Sequence, residues 1–124
     1  MASCLLVDDS RVVRQIARKI LEELKFSCTE AEDGAKALAA CQASMPDVIL
    51  LDWNMPNVNG LEFLKSMRQM PGGDKPKVIF CTTEADLNHI REALAAGANE
   101  YIMKPFDSDI IQTKLAQIGL IQTT

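Results

Sequence analysis

Cys4-Leu5-Leu6-Val7-Asp8-Asp9-Ser10 is a short apolar run that ends abruptly on two carboxylates and a hydroxyl. Four consecutive apolar residues suit a strand covered on both faces. Ser10 then opens a stretch in which Val12, Val13, Ile16, Ala17, Ile20, Leu21 and Leu24 recur at helical spacing, so its hydroxyl is a natural N-cap. The change from strand pattern to helix pattern occurs five times along the chain. Further strands are expected at Phe26 to Ala31, Val48 to Leu51, Val78 to Cys81 and Tyr101 to Met103. The second alternates with polar residues, Ser27, Thr29 and Glu30 among them, which predicts an edge position. Helices are expected over about Gly34 to Ser44, with Leu38 and Cys41 inward, and around Leu61, Leu64 and Arg68, closed by Pro71-Gly72-Gly73. A fourth carries Leu87, Ile90 and Leu94 and stops at Gly97. The fifth carries Ile110, Ile111, Leu115 and Ile118 behind a cap at Asp107 or Ser108. Strand and helix alternating in this way make a parallel α/β sheet.

The chain has 124 residues, a length that buries a core without disulfide or metal, and it reads as one domain. Its 13 basic and 17 acidic residues leave a net charge of −4 with no basic run, which argues against direct nucleic-acid binding. No apolar stretch is long enough to cross a bilayer, and no basic n-region precedes the first strand, so a cytoplasmic protein without a membrane partner is expected. Cys4, Cys28, Cys41 and Cys81 lack ligand-like spacing and read as small buried hydrophobes in a reducing compartment.

The polar residues that follow the strands carry the chemistry. Asp8 and Asp9 follow Val7, Asp52 follows Leu51, Thr82 and Thr83 follow Cys81, and Lys104 follows Met103. In an open α/β sheet the carboxyl ends of the strands form one edge, and the ligand crevice opens there. Were the first and third strands neighbours, Asp8, Asp9 and Asp52 would meet. Two unit charges about 4 Å apart repel by about 4 kcal/mol at an effective dielectric near 20, so three carboxylates need a cation. All-oxygen ligands with room for water and a phosphoryl oxygen favour Mg²⁺. Lys104 and Thr82 facing the same pocket complete a phosphate site in which a carboxylate can become an acyl phosphate. Singly, each residue has a plainer role: Asp8 or Asp9 as an Asx turn, Lys104-Pro105 as a surface turn, Thr82 or Thr83 as a helix cap. Their common position at strand ends is what favours a site. His89 is read as a solvated surface residue, and Met45, Met55, Met67, Met70 and Met103 as filling.

With these residues in view, the sequence resembles a response-regulator receiver domain over essentially all of residues 1–124. The carrying segments are Val7-Asp8-Asp9-Ser10, Asp52-Trp53-Asn54-Met55-Pro56-Asn57-Val58-Asn59-Gly60, Thr82-Thr83-Glu84 and Tyr101-Ile102-Met103-Lys104-Pro105-Phe106. The resemblance implies a doubly wound, flavodoxin-like (βα)5 fold with strand order 2-1-3-4-5. It implies that Asp52 is the phosphoacceptor and that Asp8, Asp9, Asp52 and the backbone carbonyl of Asn54 hold Mg²⁺. Thr82 would donate to the phosphoryl group, Lys104 would neutralise it, and Thr82 with Tyr101 would form the switch. Asn54 and Glu84 would tune the lifetime of the phosphorylated state, and Pro105 would be cis. Gly60 would supply a backbone conformation that other residues avoid. A partner face of Ile90, Tyr101, Met103 and Lys114 would lie on the fourth helix, fifth strand and fifth helix. Thr83 stands where many receivers have Ala or Ser, and it would narrow the path of donor or water.

The implied activity is a phosphorylation switch rather than a conventional enzyme, catalysing only its own phosphorylation and dephosphorylation. A histidine kinase or histidine phosphotransfer protein would donate, a downstream protein would read the result in chemotaxis or a relay, and the switch would act as a monomer. A receiver serving as a phosphate sink or an adaptor is the alternative. A haloacid-dehalogenase-type phosphohydrolase fits less well, because that family looks for Asp-x-Asp and a cap domain, whereas Asp8 and Asp9 are adjacent here.

Overall fold

The computed structural model describes residues 2–53, 55, 58–82 and 87–121. The apolar runs form five parallel strands: β1 (Ser3–Val7), β2 (Ser27–Ala31), β3 (Val48–Asp52), β4 (Lys77–Thr82) and β5 (Glu100–Met103). Between and after them come α1 (Arg11–Glu23), α2 (Gly34–Ala43), α3 (Gly60–Arg68), α4 (Leu87–Ala95) and α5 (Ser108–Gln117). The sheet order is β2-β1-β3-β4-β5, which places the alternating second strand at an edge, as its polar residues predict. β3 is central and β1 is the interior strand beside β2; the order reverses between β1 and β3, which are neighbours with Val7 opposite Leu51.

Although the central strands read as continuous apolar runs, successive residues still serve opposite faces. Leu5, Val7, Ile49, Leu51, Val78 and Phe80 pack with Phe63, Leu64, Met67 and Ala93, the inward residues of α3 and α4. Cys4, Leu6, Val48, Leu50, Ile79, Cys81 and Ile102 pack with Ala17, Leu21, Ile111 and Leu115 of α1 and α5. Each fully buried Leu, Ile or Phe contributes about 1.5–3 kcal/mol relative to an exposed one, so this two-sided core fixes the strand ends that carry the polar residues.

Helix starts follow the sequence chemistry. Ser10, Asp33, Asn59 and Asp107 are the N-caps of α1, α2, α3 and α5, accepting from the backbone N–H of Val13, Lys36, Glu62 and Ile110 at 3.3, 2.8, 2.9 and 2.9 Å. Beyond α4 the chain turns through Gly97 at φ +113°, a conformation that L residues rarely adopt.

The helix faces differ from the expected stripes. In α4, Leu87 and Leu94 are 66% and 46% exposed, and the buried residue is the small Ala93. Val12 and Ile16 of α1 are also exposed, leaving Ala17 and Leu21 as the inward pair, and Ile110 of α5 is partly outside. Apolar residues thus occupy more than one side of these helices, and the tertiary fold sets the side that packs: Ala93 in α4, Ala17 with Leu21 in α1, Ile111 with Leu115 in α5. Apolarity alone does not identify it.

Candidate functional site

At the carboxyl edge of β1 and β3 the chain brings Asp8, Asp9 and Asp52 together, one carboxylate oxygen of each lying within 4.8 Å of the others. Asp8 and Asp52 are buried and Asp9 is exposed. Lys104, one residue past β5, reaches across the top of the sheet and donates from Nζ to Asp8 Oδ2 at 2.6 Å and to Asp52 Oδ1 at 3.1 Å. The other oxygen of Asp8 accepts from the backbone N–H of Ser10 at 2.9 Å, which fixes its rotamer at the start of α1. Thr82 ends β4 and is buried; its carbonyl accepts from the Lys104 backbone N–H at 2.8 Å, and the Lys104-Pro105 peptide is cis.

Burial is the main reason that the Asp52 carboxyl is pushed up to about 6; Asp8 and, less, Asp9 push the same way, while Lys104 opposes them. For Lys104, burial works to lower the ammonium, but its bonds to Asp8 and Asp52 prevail and hold it above the ordinary lysine value. One ammonium against three carboxylates leaves an excess of two negative charges when all are ionised. The donors are all hard oxygens, one of the carboxylates is open to solvent, and the cluster carries uncompensated charge. This donor set fits a hard divalent cation that keeps some of its waters.

Gly60 has a different role from the one expected. Its φ is not positive; what matters is close approach, since a Cβ there would lie 2.3 Å from the Asp52 carbonyl oxygen. Its N–H also donates to the Trp53 carbonyl at 3.1 Å, so the start of α3 closes tightly against the end of β3. Trp53 packs on Phe80 at 5.0 Å between ring centroids and stacks on His89 at 4.5 Å. His89 is therefore half-buried beside the site rather than a solvated surface residue.

Two arginines escaped sequence reading. Arg14, on the flank of α1, donates to the Asp8 carbonyl at 2.6 Å and to Glu30 at 3.0 Å, tying the acidic loop to β2. Arg68, expected as part of an inward stripe, donates to the carbonyls of Gly73, Pro76 and Gly97 at 2.9, 2.7 and 2.6 Å and to Asn99 Oδ1 at 3.2 Å. The guanidinium thus binds the ends of α3 and α4 to the loop before β4, and its burial lowers its pKa. Periodicity could not have found either contact, because each joins an arginine to backbone carbonyls set by the tertiary fold.

The Pseudomonas aeruginosa chemotaxis protein CheY is 36% identical over 115 residues, covering 92% of this chain and 93% of that protein. Chemotaxis protein CheY-3 of Vibrio cholerae is 38% identical over 92% of this chain and 88% of its own. Among solved structures, Vibrio cholerae chemotaxis protein CheY4 superposes with a TM-score of 0.90 at 34% identity, over 95% of this chain and 98% of that one. The family profile described as response regulator receiver domain matches residues 4–116. The chain belongs to the response regulator receiver domain family.

As a receiver, it is a component of two-component signalling and a switch rather than a conventional enzyme. Receiver domains bind Mg²⁺ at an acidic pocket, and this receiver's Asp8, Asp9 and Asp52 supply a compatible one. Asn54 and Glu84, the residues expected to complete the metal ligands and tune the lifetime, lie outside the described residues, as does Thr83. Of the expected partner face, Ile90 of α4 and Tyr101 of β5 line one cavity with Thr82. Lys114 of α5 lies over the Tyr101 ring, 5.4 Å from its centroid, and pairs with Glu100 at 3.2 Å. Met103 stands two residues beyond Tyr101 on the same side of the strand. These four residues surround the second edge of the sheet, where β5 runs between α4 and α5. Among the described residues, no helix is long and apolar enough to cross a membrane.

Proposed function

We propose that this receiver, residues 1–124 acting as one cytoplasmic domain and as a monomer, takes a phosphoryl group on Asp52 from a phosphohistidine of a histidine kinase or histidine phosphotransfer protein. The observation that carries the reading is the shared hold of Lys104 on Asp8 and Asp52 beside the exposed Asp9. In the reaction an oxygen of Asp52 attacks phosphorus, the bond from phosphorus to the donor imidazole nitrogen breaks with its electron pair leaving on that nitrogen, and an acyl phosphate forms. Asp8, Asp9 and Asp52, with the backbone carbonyl of Asn54, would hold Mg²⁺, which supplies charge neutralisation at the phosphoryl oxygens. Lys104 already bonds the oxygen side of Asp52, and a short movement of its ammonium brings it onto the incoming group. Water held near Asn54 and Glu84 would later hydrolyse the acyl phosphate, which makes dephosphorylation a property of the receiver itself.

The message passes through Thr82. Between Thr82 and Tyr101 lies a cavity of about 10 Å³ lined also by Trp53, Phe80, His89, Ile90 and Ala93. That volume is about enough for one water and far too small for a phenol ring. Tyr101 can turn inward only if Thr82 moves toward a phosphoryl group and gives up its space. The turn would uncover the surface of Ile90, Met103 and Lys114 for a downstream protein, and partner binding would favour phosphorylation by the same coupling. The relatives named as chemotaxis proteins favour a chemotaxis-type output over a phosphate sink or adaptor.

Acetyl phosphate with Mg²⁺, followed by intact mass, tests the assignment of activity. The expected result is a gain of one phosphoryl group that decays over time. Steady turnover of small phosphate esters would indicate a phosphohydrolase, and an unchanged mass would indicate an adaptor.

A further inference from the structure

Cys4 and Cys28 stand directly opposite each other in the β1–β2 ladder. Paired residues of adjacent parallel strands point to the same face, and both thiols lie in the layer beneath α1. Neighbouring strands run about 4.7–4.9 Å apart, inside the range of about 4.4–6.8 Å between Cα atoms that a disulfide spans. The two are not equivalent. Cys4 is on an interior strand and 1% exposed, whereas Cys28 is half-buried on the edge strand and can be reached from solvent.

We propose that Cys4 and Cys28 form a dithiol that hydrogen peroxide converts to a disulfide across β1 and β2, with Cys28 oxidised first and Cys4 closing the bond. The electrostatics agree with this order. A hydrogen bond from Cys4, helped by the charge of Arg18, holds the Cys28 thiol below its ordinary value, while burial keeps Cys4 well above its own. The other two cysteines are set apart, since burial pushes Cys41 up to about 11 and Cys81 up to about 12, which leaves them as unreactive thiols.

In the first step the Cys28 thiolate attacks one oxygen of the peroxide, the O–O bond breaks, hydroxide leaves and Cys28 becomes a sulfenic acid. In the second, the Cys4 sulfur attacks the Cys28 sulfur, the S–O bond breaks and water leaves, carrying the proton from Cys4. Both thiols are oxidised, and one peroxide is reduced to two waters. The product closes the segment from Cys4 to Cys28, including all of α1, into a covalent loop at the side of the sheet that carries Asp8.

The test treats the reduced full chain with hydrogen peroxide, alkylates the remaining thiols in denaturant and maps the peptides. The expected result is that Cys41 and Cys81 are alkylated while Cys4 and Cys28 appear in one cross-linked peptide that dithiothreitol releases. Cys28→Ser should leave every remaining thiol open to alkylation after the same exposure, and Cys4→Ala should trap a dimedone adduct on Cys28. Four alkylated thiols in the parent chain, a sulfinic acid on Cys28 with Cys4 still free, or a cross-link to Cys41 or Cys81 would each overturn the proposal, and none of these readings depends on the variants folding.

Discussion

Replacing Asp52 by Asn removes a carboxylate that the folded protein holds at a cost. The Asp52 carboxyl rises from 3.8 to about 6 on folding, so between these values the native state binds more protons than the unfolded chain. Stability then falls as pH rises through that window, and the loss is complete above the folded value. At 1.36 kcal/mol per pH unit, the interval of about two between 3.8 and about 6 corresponds to at most about 3 kcal/mol at pH 7.5 and to about 1 kcal/mol at pH 4.5. An amide of nearly the same shape does not titrate. Asp52→Asn should therefore be more stable than the parent by up to about 3 kcal/mol at pH 7.5 without divalent metal, which for a chain of this size raises the melting midpoint by about 10 °C. The advantage should shrink to about 1 kcal/mol at pH 4.5. Urea unfolding of both proteins in chelator at the two pH values measures it, and Asp8 and Asp9 are present in both chains. Equal stability at pH 7.5, or an advantage that does not change with pH, would refute the claim that Asp52 is held ionised against burial and against Asp8.

Three further outcomes follow from the same geometry. Mg²⁺ should change the emission of Trp53, which adjoins Asp52, and Asp9→Ala should weaken the apparent affinity at least tenfold by removing one of three carboxylates. Arg68→Met should destabilise the fold by about 2–4 kcal/mol in urea unfolding, because it strips partners from the carbonyls of Gly73, Pro76 and Gly97, with Mg²⁺ affinity unchanged. Beryllofluoride with Mg²⁺ should shift amide signals at Tyr101, Ile90 and Met103, and Thr82→Ala should leave the shifts near Asp52 while losing those distant ones; distant shifts that persist in the variant would separate Tyr101 from Thr82.

The acidic site was legible because each of its residues immediately follows an apolar strand. Once Cys4 to Val7 and Val48 to Leu51 are read as parallel neighbours, Asp8, Asp9 and Asp52 have nowhere else to go. The sheet edge was legible too, since only the second strand alternates. What escaped depended on the third dimension. The period of α4 marks Leu87 and Leu94, yet the helix packs through Ala93, and no local signal distinguishes an inward alanine from an outward one. The stacking of His89 on Trp53 joins residues 36 positions apart (89 − 53), and the roles of Arg14 and Arg68 rest on backbone carbonyls rather than on side-chain pattern. The need for glycine at position 60 was foreseen, but its cause is the nearby Asp52 carbonyl rather than an unusual φ.

The central claim is that Asp52 receives the phosphoryl group in a metal-dependent step. Its most direct measurement is phosphorylation with acetyl phosphate, trapping of the acyl phosphate by borohydride reduction and peptide mapping of the modified residue. The account predicts one modification, on Asp52, present with Mg²⁺, abolished by chelator and absent from Asp52→Asn. A phosphoryl group mapped to Asp8, Asp9 or His89, or stoichiometric modification of Asp52→Asn, would contradict it.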